Sequence, residues 1–198
     1  SLQLRLARLR RDRLQQATGI AFKQGGRLLP ALCKALQFEL TGAQKRVIGE
    51  IGEDMARPFA MSRLLQGDVG SGKTLVALAA MLNAVENGYQ AALMAPTEIL
   101  AEQHFLNINS LAGPLGVGVG FLVGGQKIAQ RRKVLQSMEN GSADIVVGTH
   151  ALIQEQVSFH RLGLVVVDEQ HRFGVVQRSE LYGKGRQIDV LVMTATPI

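Results

Sequence analysis

The apolar positions of this chain fall into six short runs that alternate with stretches of helical periodicity. Most of the runs are continuous, as strands buried on both faces of a parallel sheet require, and only the third is diluted by glycine. Alternating strands and helices predict an α/β fold, with a mostly parallel central sheet and helices on both faces. The predicted strands are Arg63 to Gln66, Ala91 to Ala95, Val117 to Val123, Asp144 to Val147, Leu164 to Val167 and Val190 to Met193.

Capping residues and periodic apolar faces mark the predicted helices. Thr41 is placed to cap a helix that runs to about Met55. Two later helices, Gly72 to Glu86 and Ile128 to Glu139, each end at an Asn-Gly pair. A short helix is predicted from Pro30 through Leu36, because proline is favoured in a first helical turn.

The N-terminal segment is basic. Leu2 to Gln16 reads as a helix with leucines at helical spacing and arginines around them. It is either a connecting helix that also contacts phosphates or a solvated basic helix end. Residues 1–13 supply +4 of the formal net charge of +6, so the rest of the chain carries only about +2. Overall basicity is therefore weak support for a nucleic-acid partner.

The single cysteine and the absence of a long apolar run bear on location. Cys33 has no possible disulfide partner within the chain, and no apolar run is long enough to cross a bilayer. Arginines interrupt the N-terminal leucines, so no signal-peptide core is predicted. We expect a cytoplasmic protein with no membrane partner. The chain lacks an initiator methionine and stops just after a strand-like run, so we expect a piece of a longer protein.

A glycine-rich loop lies between a predicted strand and a predicted helix. It fits the pattern G-x-x-x-x-G-K-[ST] in the context that this pattern demands. The glycines let backbone N–H groups point at phosphate oxygens, while Lys73 neutralises the β and γ phosphates and the Thr74 hydroxyl ligates Mg²⁺. The alternative is a chance glycine-rich turn. The predicted Mg-ATP loop consists of Gly67, Asp68, Val69, Gly70, Ser71, Gly72, Lys73 and Thr74.

A second motif begins where the apolar run Leu164 to Val167 meets two carboxylates. Asp168 is expected to hold Mg²⁺ through its water shell, and Glu169 is the better candidate for orienting and deprotonating the attacking water. The alternative is a strand that simply ends in a polar turn. With the phosphate loop upstream, we predict that Lys73, Asp168 and Glu169 are catalytic.

The phosphate loop and the acidic strand end alone would also fit a kinase, a transporter ATPase or a GTPase. Four further segments decide which class is predicted. Three of them lie at or near the carboxyl ends of predicted strands, where an open α/β sheet binds ligands. The first segment, Phe38 to Gln44, instead precedes the phosphate loop. The other three segments are Ala95 to Glu98, Gly148 to His150 and Thr194 to Thr196.

The order of these segments resembles the first motor domain of superfamily 2 helicases over roughly residues 36 to 198. The sequences of these segments are most similar to those of the RecG family. This resemblance implies a RecA-like P-loop NTPase fold. It also implies ATP and Mg²⁺ as cofactors, and remodelling of branched DNA, such as forks or Holliday junctions, in bacterial recombination and repair. Ser71 and Gln170 depart from the related transcription-repair coupling factors. The resemblance rests on Leu28 to Leu32, Gly67 to Thr74, Ala95 to His104 and Asp168 to Val175.

The resemblance also implies roles for individual residues. Gln44 would hydrogen-bond the adenine edge, with Phe38 as an apolar contact beside it. Thr97, Gly125 and Thr149 would contact DNA, although each threonine is also explained as a plain helix cap or strand end, and Gly125 as part of an ordinary turn. The residues expected to couple the nucleotide site to the DNA face are Gln170, His171, Thr194 and Thr196.

The predicted domain organisation is incomplete for a helicase. Residues 1–36 would form a linker helix and a lead-in, and residues 37–198 the first RecA-like, ATP-binding domain. The second motor domain, which supplies an arginine finger, and an upstream DNA-binding domain would be absent. Two other functions stay open: an RNA helicase core, which shares this domain, and a metabolic P-loop ATPase, kinase or switch.

Overall fold

A parallel six-stranded sheet forms the centre of the computed structural model, which describes residues 19–154, 156–168 and 188–195. Neighbouring strands are all paired in parallel, in the order β1-β6-β5-β2-β4-β3 from one edge to the other. The predicted sheet is confirmed, and each predicted strand overlaps an observed one. The strands are β1 Ser62–Gln66, β2 Gln90–Met94, β3 Val119–Leu122, β4 Ile145–Gly148, β5 Leu162–Asp168 and β6 Asp189–Thr194.

Helices cover both faces of the sheet because alternate residues of the buried strands point in opposite directions. Ala91 and Leu93 of β2 belong to one apolar cluster, whereas Ala92 and Met94 belong to another. The first cluster lies under the helices α1 to α4, and the second lies under α5 and a short 3₁₀ turn, His150–Ile153. The helices are α1 Leu28–Ala35, α2 Gly42–Met55, α3 Lys73–Glu86, α4 Glu98–Ala112 and α5 Ile128–Glu139.

Most helix ends agree with the sequence predictions. Thr41 caps α2 as expected: its Oγ1 accepts from the backbone N–H of Gln44 at 3.2 Å, and the Gln44 side chain accepts in return from the backbone N–H of Thr41 at 2.9 Å. The predicted start of α1 at Pro30 is wrong, because the helix begins two residues earlier, at Leu28. Proline is tolerated there since N–H groups in a first turn have no partner within the helix.

Two further expectations concern the N-terminal segment and the membrane. The predicted basic helix from Leu2 to Gln16 lies outside the described residues. Within the described ranges, none of the helices has the length and apolar character needed to pass through a bilayer.

Candidate functional site

The phosphate-binding loop predicted from the sequence joins β1 to α3 at the carboxyl end of the sheet. Gly67 begins the loop and donates its N–H to the carbonyl of Thr194 at 3.3 Å. Thr194 is the last residue of β6, the strand beside β1. Within the loop, the N–H of Ser71 donates to the carbonyl of Asp68 at 3.1 Å. The loop is therefore attached at its base to the ends of two strands, while its tip is open: Val69 is 84% exposed.

Two glycines give the loop its tight curl. Gly70 and Gly72 have φ angles of +80° and +82°, in the left-handed region that side chains disfavour. A Cβ atom on Gly72 would also lie only 2.3 Å from Nε2 of Gln44. Gly72 is thus required both for the backbone turn into α3 and for the approach of a neighbouring side chain.

Lys73 is the first residue of α3, and its side chain folds back over the loop. Its ammonium donates to the carbonyl of Gly67 and, at 2.7 Å, to the carbonyl of Asp68. The positive charge is therefore held in the concave side of the loop, next to the N-terminus of α3, whose N–H groups and dipole also favour an anion. These features together suit a polyphosphate.

Gln44 connects the start of α2 to the phosphate loop. Its Nε2 donates to the carbonyl of Ser71 at 3.1 Å, while its Oε1 accepts from the Thr41 N–H. Phe38, 59% exposed, lies before this helix and lines an open pocket of about 420 Å³ together with Leu36 and Lys45. The amide of Gln44 thus faces the loop, and one of its two Nε2 hydrogens remains for a further acceptor.

The second motif places a carboxylate at the end of β5. The Oδ2 of Asp168 lies 2.6 Å from Nε2 of His104, which belongs to α4. Both side chains are largely buried, with Asp168 16% and His104 12% exposed. Sequence reasoning identified Asp168 but gave no role to His104. His104 is the last residue of the segment Ala95 to His104, which contributes to the family resemblance. No local pattern indicates which residue this histidine contacts.

The oxygen donors at this site fit a magnesium ion better than a metal that is bound only by protein side chains. In the part of the chain that the structure describes, no group of three or more histidine, cysteine or acidic residues could hold a metal. Mg²⁺ is usually bound by one or two carboxylates, waters and substrate phosphates. The Asp168 carboxylate and the Thr74 hydroxyl are oxygen donors of that kind.

The predicted DNA contacts are only partly brought together. Thr97 is exposed and caps α4 through its Oγ1, which accepts from the N–H of Leu100 at 3.3 Å. Next to it, Glu98 accepts from the N–H of Gly125 at 3.1 Å, so Thr97 and Gly125 lie at one exposed corner. Thr149 is instead only 2% exposed. Its Oγ1 has no hydrogen-bond partner among the described residues.

Most of the predicted coupling residues lie outside the residues that the structure describes. Thr194 is 8% exposed, and its carbonyl ties β6 to the phosphate loop. The predicted catalytic base Glu169 and the coupling residues Gln170, His171 and Thr196 lie outside the described residues.

Several known proteins are similar to this chain in sequence or in fold. The RecG ATP-dependent DNA helicase of Synechocystis is 52% identical over 197 residues, which are 100% of this chain and 24% of that protein. The RecG of Bacillus subtilis is 50% identical over 99% of this chain and 29% of its own length. The chain thus spans about a quarter of the length of these relatives.

Solved structures agree with the sequence relatives. A structure of RecG bound to a three-way DNA junction matches with a TM-score of 0.85 and 46% identity, over 95% of this chain and 25% of that one. A structure of Saccharomyces cerevisiae Dbp5 matches with a TM-score of 0.66 and 18% identity, over 88% of this chain and 48% of that one, and shows a shared fold alone.

A family model also matches most of the chain. The model described as DEAD/DEAH box helicase matches residues 41–198, which include the phosphate loop and both predicted acidic residues of the second motif. The chain therefore belongs to the DEAD/DEAH box helicase family and is similar to the RecG helicases along its whole length.

Proposed function

We propose that this chain is the ATP-binding domain of a DNA helicase or translocase that couples ATP hydrolysis to remodelling of branched DNA in recombination and repair. One observation carries the proposal: the loop from Gly67 to Thr74 and the Asp168 carboxylate lie at one end of a parallel sheet, in a chain about half identical to RecG helicases. Residues 37–198 would be the first RecA-like motor domain, and residues 1–36 a linker and lead-in. Such a motor would act in the bacterial cytoplasm.

The phosphate loop binds the nucleotide in this proposal. Backbone N–H groups between Gly67 and Thr74 contact the phosphates, and Lys73 exchanges its two loop carbonyls for phosphate oxygens. Thr74 and Asp168 hold Mg²⁺, which would neutralise charge on the β and γ phosphates. Because Lys73 is already oriented into the loop, little rearrangement is needed for binding.

Adenine recognition falls to Gln44 and Phe38. The free Nε2 hydrogen of Gln44 can donate to an adenine ring nitrogen while the other keeps its contact with Ser71. The exposed ring of Phe38 offers an apolar surface beside it. This arrangement predicts that ATP binds more tightly than GTP, and a competition assay with the two nucleotides measures that preference.

The remaining roles follow the family resemblance. Glu169 would orient and deprotonate the attacking water, and Gln170, His171, Thr194 and Thr196 would relay nucleotide occupancy to the DNA face. Thr97 and Gly125 suit a phosphate contact because they share an exposed corner at the N-terminus of α4. Thr149 would need a local movement to expose its buried hydroxyl.

The isolated chain should be a poor enzyme. Helicases of this class close ATP between two domains, and the second supplies an arginine finger worth about 10³ to 10⁵ in rate. We therefore expect weak Mg-ATP binding, slow hydrolysis and no unwinding by the 198-residue chain alone. Rapid, DNA-stimulated turnover by this chain would contradict that expectation.

The function is tested by ATPase measurements on a full-length protein that contains this chain. Wild type and Glu169→Gln are compared without nucleic acid, with single-stranded RNA, with duplex DNA and with a synthetic fork. Strong stimulation by the fork, lost in the variant, is the expected result. Stimulation by RNA alone would indicate an RNA helicase, and none by any nucleic acid would indicate a metabolic ATPase.

A further inference from the structure

The contact between His104 and Asp168 joins two segments that are 64 residues apart in the sequence. The 2.6 Å separation is a hydrogen-bonding distance, and an ionised carboxylate acceptor makes such a bond stronger than a neutral acceptor does. A carboxylate only accepts hydrogen bonds, so Nε2 of His104 is the donor. Both side chains are more than four-fifths buried, which shields the bond from competing water.

His104 is held in place by the packing of its own helix. On α4, Ala101 and Ile108 lie one turn to either side of the histidine, and both are fully buried. These positions form the face of α4 that packs against the sheet. The imidazole therefore belongs to a fixed element rather than to a mobile loop.

The geometry points to His104 as a positioning residue for magnesium. It occupies one oxygen of Asp168, Oδ2, and so sets the rotation of the carboxylate and leaves Oδ1 for the water shell of the ion. The inference rests on the proposed function, because it takes Asp168 as the carboxylate that serves Mg²⁺. Partners of this kind commonly change metal affinity by about 10- to 100-fold when they are removed.

The location of His104 adds a connection to the nucleic-acid side. The same helix begins at the corner formed by Thr97, Glu98 and Gly125. His104 lies six residues after Glu98, a rise of about 9 Å along the helix. One rigid element thus contacts the magnesium carboxylate and carries the predicted DNA contact at its start.

The test is equilibrium binding of a fluorescent ATP analogue to the 198-residue chain at increasing Mg²⁺ concentration. His104→Leu removes the donor, and His104→Gln keeps an N–H at the distance of Nε2. We expect the leucine variant to need about 10-fold more Mg²⁺ for half-maximal binding, with unchanged affinity for the metal-free nucleotide. The glutamine variant should return to within about 3-fold of wild type. Thermal unfolding checks that both variants fold.

The outcomes separate this inference from the proposed function. The inference is overturned if the leucine variant has the wild-type Mg²⁺ dependence, if glutamine does not restore it, or if metal-free binding falls equally. Asp168→Asn serves as the reference. If it weakens the Mg²⁺ dependence while His104→Leu does not, only the role of His104 fails. If Asp168→Asn also has no effect, the proposed magnesium site itself fails.

Discussion

At the amino end of the sheet, Gln90 and Asp189 are buried and bonded to the chain itself, whereas at the carboxyl end the tip of the phosphate loop and the start of α4 are exposed. Gln90 begins β2 with only 4% exposure, and it donates to the carbonyls of Met138 and Ala143 at 2.9 and 2.7 Å. Its Oε1 accepts from the N–H of Arg161 at 3.0 Å. Asp189 begins β6 and accepts from the N–H of Met61 at 2.7 Å. These groups hold neighbouring segments together.

The carboxyl end uses its polar groups differently. The phosphate loop is open to solvent at Val69, and Lys73 is bonded to loop carbonyls that a phosphate can replace. Thr97 and Gly125 are also exposed. Buried groups that are hydrogen-bonded to neighbouring segments stabilise a fold, and exposed groups with exchangeable partners are free to bind a ligand. Substitutions at the two ends should therefore affect different quantities.

The largest expected effect is a loss of stability at the amino end. Gln90→Leu removes the partner of the Ala143 carbonyl and of the Arg161 N–H, at about 1–3 kcal/mol each, whereas the Met138 carbonyl still accepts from the N–H of His160. We expect the free energy of unfolding to fall by about 2 to 6 kcal/mol in urea titration. Nucleotide affinity of the folded fraction should not change. A stable variant with impaired nucleotide binding would reverse the assignment of the two ends.

The pH dependence of stability comes next and also belongs to the amino end. Burial raises the pKa of Asp189 to about 7; the Met61 N–H opposes the rise, and the charge of Asp54 adds to it. Its Oδ2 is buried without a hydrogen-bond partner among the described residues, which suits a protonated carboxyl. The folded state thus retains this proton at pH values where the unfolded chain has released it.

Stability should accordingly fall as the pH rises from about 4 to 7, because the unfolded state binds fewer protons over that range. A shift of about 3 pKa units corresponds to roughly 4 kcal/mol at most. Asp189→Asn keeps an acceptor for the Met61 N–H. This variant should lose the part of the decrease in unfolding free energy with pH that is due to Asp189. Urea unfolding of both proteins at several pH values measures the difference, and parallel profiles would contradict the prediction.

At the carboxyl end, Lys73→Ala should affect binding and leave stability unchanged. Loss of one charge-assisted phosphate contact is expected to weaken Mg-ATP binding about 100-fold, or about 2.8 kcal/mol. The melting temperature should stay within about 2 °C, since the ammonium contacts only the loop. Lys133→Ala, an exposed lysine on α5, is the matched control. Equal affinity of the two variants would argue against the phosphate loop as the binding site.

The smallest effect is expected from the proposed adenine contact. Phe38→Ala should lower ATP affinity a few-fold, because the ring is 59% exposed before binding and gains only part of its apolar burial. Phe59→Ala is a useful control, since this phenylalanine is 43% exposed just before β1, at the amino end. Fluorescence titration with an ATP analogue compares the two. A larger effect of Phe59→Ala would place the base elsewhere.

The strands and the glycine-rich turn between β1 and α3 were predictable because their signals are local. The run before Asp168 is continuously apolar, and the observed strand, Leu162–Asp168, extends the predicted Leu164 to Val167 by only a few residues. The bounds of α4 carry a weaker signal. Ile99 and Leu106 are 71% and 58% exposed, so apolar residues lie on both faces of that helix and blur its periodicity.

The features that the sequence did not predict are those that depend on tertiary contacts. The strand order, in which β6 separates β1 from β5, follows from crossover connections that no single segment specifies. The bond from His104 to Asp168 and the bond from Gln44 to Ser71 join residues 64 and 27 positions apart. The family resemblance predicted an adenine contact for Gln44, but it did not indicate that the Gln44 amide also donates to the loop carbonyl of Ser71.

The central claim is that the carboxyl end of the sheet binds Mg-ATP while the amino end is structural. It is tested most directly by NMR of the 198-residue chain, which maps amide shifts during titration with Mg-ATP. We expect saturable shifts concentrated between Gly67 and Thr74 and at Asp168, with the amides of Gln90, Gly118 and Asp189 unchanged. Shifts concentrated at those three amino-end residues, or no saturable shifts in the loop, would contradict the claim.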